Sequence, residues 1–120
     1  MKNIYIILIL IFCFTIISCA KKDESTDTTT TTTTLSAPSG LTATGTAGQV
    51  SLDWSAVTSA NSYTVYWDNA TGISSSSTAI TSVSTDSYTH SSLDNGSKYY
   101  YKVAAVASDN AIGSLSSEVS

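Results

Sequence analysis

The side chains best suited to nucleophilic or proton-transfer chemistry in this sequence are the thiols of Cys13 and Cys19 and the imidazole of His90, the only histidine. His90 lies close to Asp86 in a serine-rich stretch, so the residue types of a nucleophile, a base and an orienting acid are all present. A working triad also needs its serine raised on a strained elbow or set in a cleft beside the base, and none of these serines stands in such a motif. His90 shares strand parity with Tyr88, which makes a partly buried histidine at the end of a sheet the ordinary account. Zinc sites draw several ligands from His and Cys, and one histidine falls short of the usual spacings. Asp68-Asn69 and Asp94-Asn95 do not continue into a calcium-binding loop. The expectation is a protein with no catalytic residue, no metal and no cofactor, and therefore not an enzyme.

Cys19 has a different setting. It closes the run Ile16-Ile17-Ser18-Cys19, directly after Lys2 and an apolar stretch from Ile4 to Ile17. A positive end followed by such a stretch is the layout of a secretory signal. Fourteen residues of helix rise about 21 Å, short of the roughly 30 Å hydrocarbon core that a membrane span must cross. Small residues flank the thiol at Ser18 and Ala20. The whole pattern resembles a bacterial lipoprotein signal, which implies removal of residues 1–18, lipidation of Cys19 with a palmitate-type chain, and a membrane partner reached through the N-terminal lipid. The implied location is the cell envelope. Lys22-Asp23-Glu24 resembles the charged surface-export signal of some Gram-negative lipoproteins, which points to the outer membrane and its outer face.

Residues 19–36 read as the lipidated cysteine and a tether, with Thr28 through Thr34 an unbroken run of seven threonines. That run offers no apolar periodicity to bury. Seventeen flexible residues span about 23 Å root-mean-square and about 56 Å at full stretch. Asp27-Thr28-Thr29 resembles an O-glycosylation acceptor. Once Cys13 leaves with the signal and Cys19 carries lipid, the exported chain holds no disulfide, so packing alone must stabilise it. The charges before residue 37 cancel, and the chain's formal charge of −4 therefore sits in residues 37–120, where Lys98 and Lys102 face six carboxylates. With no arginine and so few lysines, nucleic acid is excluded as a partner.

The elements that must position any site begin at Ala37, where alternation takes over. Val50, Leu52 and Trp54 recur at every second position and share one strand face, as do Tyr63, Val65 and Trp67. A longer run puts Tyr99, Tyr101, Val103 and Ala105 on one face and Tyr100, Lys102 and Ala104 on the other. Turn signals lie between: Asp68-Asn69 with Gly72, the Ser74–Ser77 tract, and Asp94-Asn95-Gly96. Short alternating strands at near-regular spacing, in one domain of about eighty residues, predict an all-β antiparallel sandwich. The expected core is Leu52, Trp54, Tyr63, Val65, Leu93, Tyr99, Tyr101 and Val103.

Several of these motifs in order resemble a fibronectin type III domain, an immunoglobulin-like sandwich of about seven strands, over residues 37–120. Pro38-Ser39-Gly40-Leu41-Thr42-Ala43 is similar to the family's first strand, Val50-Ser51-Leu52-Asp53-Trp54 to its second, and Ser62-Tyr63-Thr64-Val65-Tyr66-Trp67 to its third. The stretch from Leu93 to Val106 resembles the corner leading into strand F, with Tyr99 as a tyrosine corner whose hydroxyl reaches back to backbone near Leu93. Tyr88 matches strand E, and Gly113 with Ser116-Ser117-Glu118-Val119 resembles the start of the last strand. The loop over residues 107–114 carries no Arg-Gly-Asp, so integrin-type adhesion does not transfer. The resemblance implies a spacer or a binding module, and fold alone does not choose.

One surface bears on that choice. If Tyr63, Val65 and Trp67 face inward, Tyr66 faces out, and by the same parity so does Tyr100 on the neighbouring strand. Two exposed rings on a rigid sheet form a candidate binding face for a sugar or a partner protein. Cross-strand aromatic pairs also stabilise sheets without any ligand. The expected role is a non-enzymatic envelope lipoprotein whose domain binds an envelope protein or a surface glycan. The alternatives are a purely structural spacer and an accessory subunit of a glycan-processing complex.

Overall fold

The computed structural model describes residues 34–120. The signal at residues 1–18, Cys19 and the tether up to residue 33 lie outside the described residues. The remainder is all-β, with seven strands: β1 Thr42–Thr46, β2 Gln49–Asp53, β3 Ser62–Asp68, β4 Thr78–Val83, β5 Ser87–Ser91, β6 Tyr100–Val106 and β7 Ile112–Leu115. They form two antiparallel sheets, β1-β2-β5 and β4-β3-β6-β7. This is the antiparallel sandwich expected from the alternation, of the immunoglobulin-like type that the family resemblance implied.

Inward-facing residues of both sheets interlock in the core. Leu52, Trp54, Tyr63, Val65, Val83, Tyr101, Val103 and Ala105 are all buried, and Val65, Tyr101 and Val103 are completely inaccessible. Trp54 follows β2 and extends its pairing by donating its N–H to the Asp86 carbonyl at 3.0 Å. Its ring meets Tyr63 edge-on at 5.3 Å, and the Tyr63 hydroxyl accepts the Val57 N–H at 2.9 Å. The Tyr63 ring thus fills the core while its polar tip stays hydrogen-bonded, as a buried tyrosine requires.

β4 escapes a period-of-two reading for a physical reason. Its inward residues Ile80 and Val83 are three apart, because Tyr63 pairs with Val83 while Val65 pairs with Ile80. Ser82, at φ 63°, takes up the extra residue as a bulge. Period-two alternation therefore breaks inside the strand.

Three expectations about the core need correction. Leu35, assigned to the tether, is buried in the core, so the domain's packing begins before residue 37. Its carbonyl accepts the Ser114 N–H, and it lies so close to Gly113 that a Cβ there would stand 2.6 Å from the Leu35 oxygen. Leu93 is only half-buried and takes no part in the core cluster, because its backbone is drawn outward to the β1–β2 tip. Tyr99 is likewise half-buried and packs against the rim of the core instead of plugging it.

Candidate functional site

Parity places Tyr66 and Tyr100 on the outer face of the four-stranded sheet, and there they are. Exposure differs from expectation. Tyr66 is only 4% accessible, so it is not an open binding surface. It forms a second, small apolar cluster with buried Ile73 and Ala104, to which Tyr100 and Leu115 add partly buried area. The β3–β4 loop lays Ile73 over the sheet, a fold-back that no strand pattern encodes. Tyr100 remains half-buried, with the Lys98 ammonium 5.3 Å from its ring centre in a cation–π contact.

Glu118 holds that loop in place. Its carboxylate accepts the Gly72 N–H at 2.9 Å, the Ile73 N–H at 2.8 Å and the Thr71 hydroxyl. These hydrogen bonds, led by Thr71 and Ile73 and helped by Lys102, hold the Glu118 carboxyl below its ordinary 4.5. Gly72 makes the turn at φ 97°, a conformation L side chains rarely adopt.

At the opposite end of the chain's alternation lies the corner before β6. The Tyr99 hydroxyl accepts the Asp94 N–H at 3.2 Å, one residue from the position the tyrosine-corner resemblance implied. The turn from Asp94 to Ser97 closes at 3.3 Å around Gly96, whose φ of 85° suits the third position of a type II turn. Two bonds tie this corner to the β1–β2 tip: Leu93 N–H to the Gly48 carbonyl at 2.9 Å, and Gly48 N–H to the Asn95 side-chain oxygen at 2.8 Å. Between the two loops is a cavity of about 220 Å³, with Tyr99 in its wall and Gln49, Asp94, Asn95 and Ser97 among its polar lining.

Behind Tyr99 sits a cluster of rings that joins the two sheets. The His90 ring on β5 meets Trp67 at 4.5 Å, Tyr101 at 5.9 Å and Tyr99 at 6.5 Å, and Trp67 meets Tyr99 at 5.9 Å. His90 Nδ1 lies 3.2 Å from the Tyr101 hydroxyl. Burial lowers the His90 pKa from its ordinary 6.5, since the charged imidazolium loses water there. Burial also pushes the Tyr101 hydroxyl up to about 12, with Tyr99 adding to the effect. The imidazole is thus engaged in inter-sheet packing with a phenol and an indole. Among the described residues, no group of three His, Cys, Asp or Glu side chains converges on one point.

The strand motifs pointed to one sheet face and missed the cavity. One wall, Leu93 to Tyr99, falls in the turn and corner read from the sequence, but the facing loop, Gly45 to Val50, is remote in sequence and meets it through the pairing of β2 with β5.

Comparison with known proteins agrees with this architecture. The family model described as "Fibronectin type III domain" matches residues 36–120. Over 93 residues the chain is 39% identical to an amylopullulanase of Thermoanaerobacter thermohydrosulfuricus, a match that takes in 71% of this chain and 6% of the enzyme. The chain therefore spans a small fraction of that relative's length. Among solved structures, a Fn3-like protein from Clostridium thermocellum is 33% identical, with a TM-score of 0.59 over 68% of this chain and 84% of that one. The chicken CNTN1 FN1-FN3 domains, at 17% identity, give a TM-score of 0.58 over 69% of this chain and 30% of that one, a likeness of fold. Two sheets joined through Trp54, Tyr63 and Tyr101, a corner closed by Tyr99, and a family model running from residue 36 to residue 120 make this chain a member of the fibronectin type III family.

Proposed function

We propose that this protein is a non-enzymatic lipoprotein of the cell envelope, held to the membrane by lipid on Cys19, and that its fibronectin type III domain is a binding module for a surface glycan or for an envelope protein that handles one. The observation that carries this reading is the 39% identity to a segment amounting to 6% of a glycan-processing enzyme. The likeness is to one domain-sized stretch of the enzyme, and the same kind of domain on a tether suits an auxiliary role. The lysine-led apolar leader ending at Cys19 supports the anchor. The occupation of His90 by Trp67 and Tyr101 supports a non-catalytic domain.

The same identity favours a more specific form, an accessory subunit of a glycan-processing complex. Labelled palmitate should enter the full-length protein and not its Cys19→Ala variant, and the parent alone should fractionate with membranes. Crosslinking in intact cells should then join the parent to a glycan-active enzyme or to polysaccharide. Palmitate labelling that is equal in both forms overturns the anchor, and a protein that crosslinks to neither class of partner is a spacer.

A further inference from the structure

We infer that the cavity between the β1–β2 tip and the corner before β6 is a subsite for a sugar ring of a neutral glycan. This rests on the binding-module reading and adds to it a place and a ligand class. Sugar recognition needs a flat apolar surface for the C–H face of the ring and hydrogen-bonding groups around it for the hydroxyls. Tyr99 supplies the aromatic wall. It is held rigid from two sides, by the Asp94 N–H bonded to its hydroxyl and by Trp67 and His90 packed against its ring. A wall already fixed loses little entropy when a ligand arrives.

The polar partners are equally well placed. Gln49, Asp94, Asn95 and Ser97 line the same cavity. Asn95 contacts Gly48 through its oxygen, and its two amide hydrogens take no part in that bond. The Asp94 carboxylate is an acceptor suited to sugar hydroxyls, and hydrogen bonds to a charged acceptor are the stronger kind. The two loops are tied together by the Leu93–Gly48 and Gly48–Asn95 bonds, so the cavity is formed before anything enters. The sign of the field disfavours an acidic glycan: the cavity's carboxylate is Asp94, and the chain carries a formal charge of −4.

Gly45 provides a clean means of closing the site. A Cβ there would meet no atom within 4 Å, and the position lacks the positive φ that would strain a side chain. Gly45→Val therefore adds bulk at a residue that lines the cavity without a clash against the fold, and β-branched residues suit a strand.

The test titrates the full-length protein in detergent with maltohexaose, a neutral probe, and with polygalacturonate, an acidic one. Saturable maltohexaose binding is expected, with amide shifts concentrated in residues 45–50 and 93–99 and no binding of polygalacturonate. Gln49→Ala combined with Asp94→Ala should weaken binding about tenfold or more, and Gly45→Val should abolish it, both with melting temperatures close to the parent's. Maltohexaose binding whose shifts lie elsewhere and that survives Gly45→Val overturns this site while leaving the module reading intact. Absence of any maltohexaose binding also overturns it, and the crosslinking experiment then decides the module reading separately.

Discussion

The four-stranded sheet carries an apolar cluster on each of its faces, and the two are closed in different ways. Inside, Val65, Tyr101 and Val103 are covered by the opposite sheet, and strands β1 to β6 all contribute residues to the cluster that buries them. Outside, Tyr66 and Ala104 are covered by Ile73 alone among buried residues, delivered by a loop that hangs on one carboxylate. The inner cluster is a property of the whole fold. The outer one depends on a handful of local bonds. Alternation of residues along a strand thus tells which side a ring points to, and says nothing about whether a loop will cover it.

The sharpest way to test this contrast is at Trp54. Trp54→Ala should cost about 3 to 5 kcal/mol, comparable with the whole stability of a small domain, and should abolish cooperative unfolding in a thermal melt. Survival of a sharp transition near the parent's would show that the inner cluster is not the keystone.

Ile73→Ala should cost less, about 2 kcal/mol at the low end of such truncations, because one loop can relax over a shallow surface. It should also make Tyr66 reactive toward tetranitromethane while Tyr101 stays protected. Equal protection of both rings in the variant would erase the distinction between the clusters.

At the corner, Tyr99→Phe removes the acceptor of the Asp94 N–H and should cost about 0.5 to 1.5 kcal/mol in denaturant unfolding. The exposed position of Asp94 lets water replace part of that bond. A larger loss would mean that the rim of the core carries more of the fold than its half-buried rings imply.

The smallest effect concerns Glu118 and pH. Its folded pKa lies below the ordinary 4.5, so the latch contributes fully above that value and is lost as pH falls through the folded one. His90 acts in the same direction at higher pH: its folded pKa lies below 6.5, the unfolded chain takes up the proton first, and stability declines as pH falls below 6.5. Melting temperature followed from pH 7 to pH 3 should show both declines. Glu118→Gln should flatten the lower one and leave the upper unchanged.

Much of this could be read from residue order. Leu52, Trp54, Tyr63, Val65, Tyr101 and Val103 were recognisable as core because strand alternation and burial on a two-sheet fold share one period. The corner at Tyr99 was implied by the family resemblance of the stretch from Leu93 to Val106, and its bond falls within that stretch, on Asp94. β4 was hidden by the bulge at Ser82, which shifts Ile80 and Val83 out of phase. Leu35 was hidden because its partner, Gly113, is most of the domain away in sequence.

What the sequence determined by itself is the set of faces: period-two patterning fixes which side chains share a side, and turn residues such as Gly96 and Gly72 fix where the chain reverses. What only the tertiary structure decided is coverage. Ile73 closing over Tyr66, Leu35 lying on Gly113, and the β1–β2 tip meeting the Asp94–Ser97 turn to border a half-open cavity are all contacts between remote segments. Such contacts carry no local period, because they arise where loops find complementary surface after the sheets have formed.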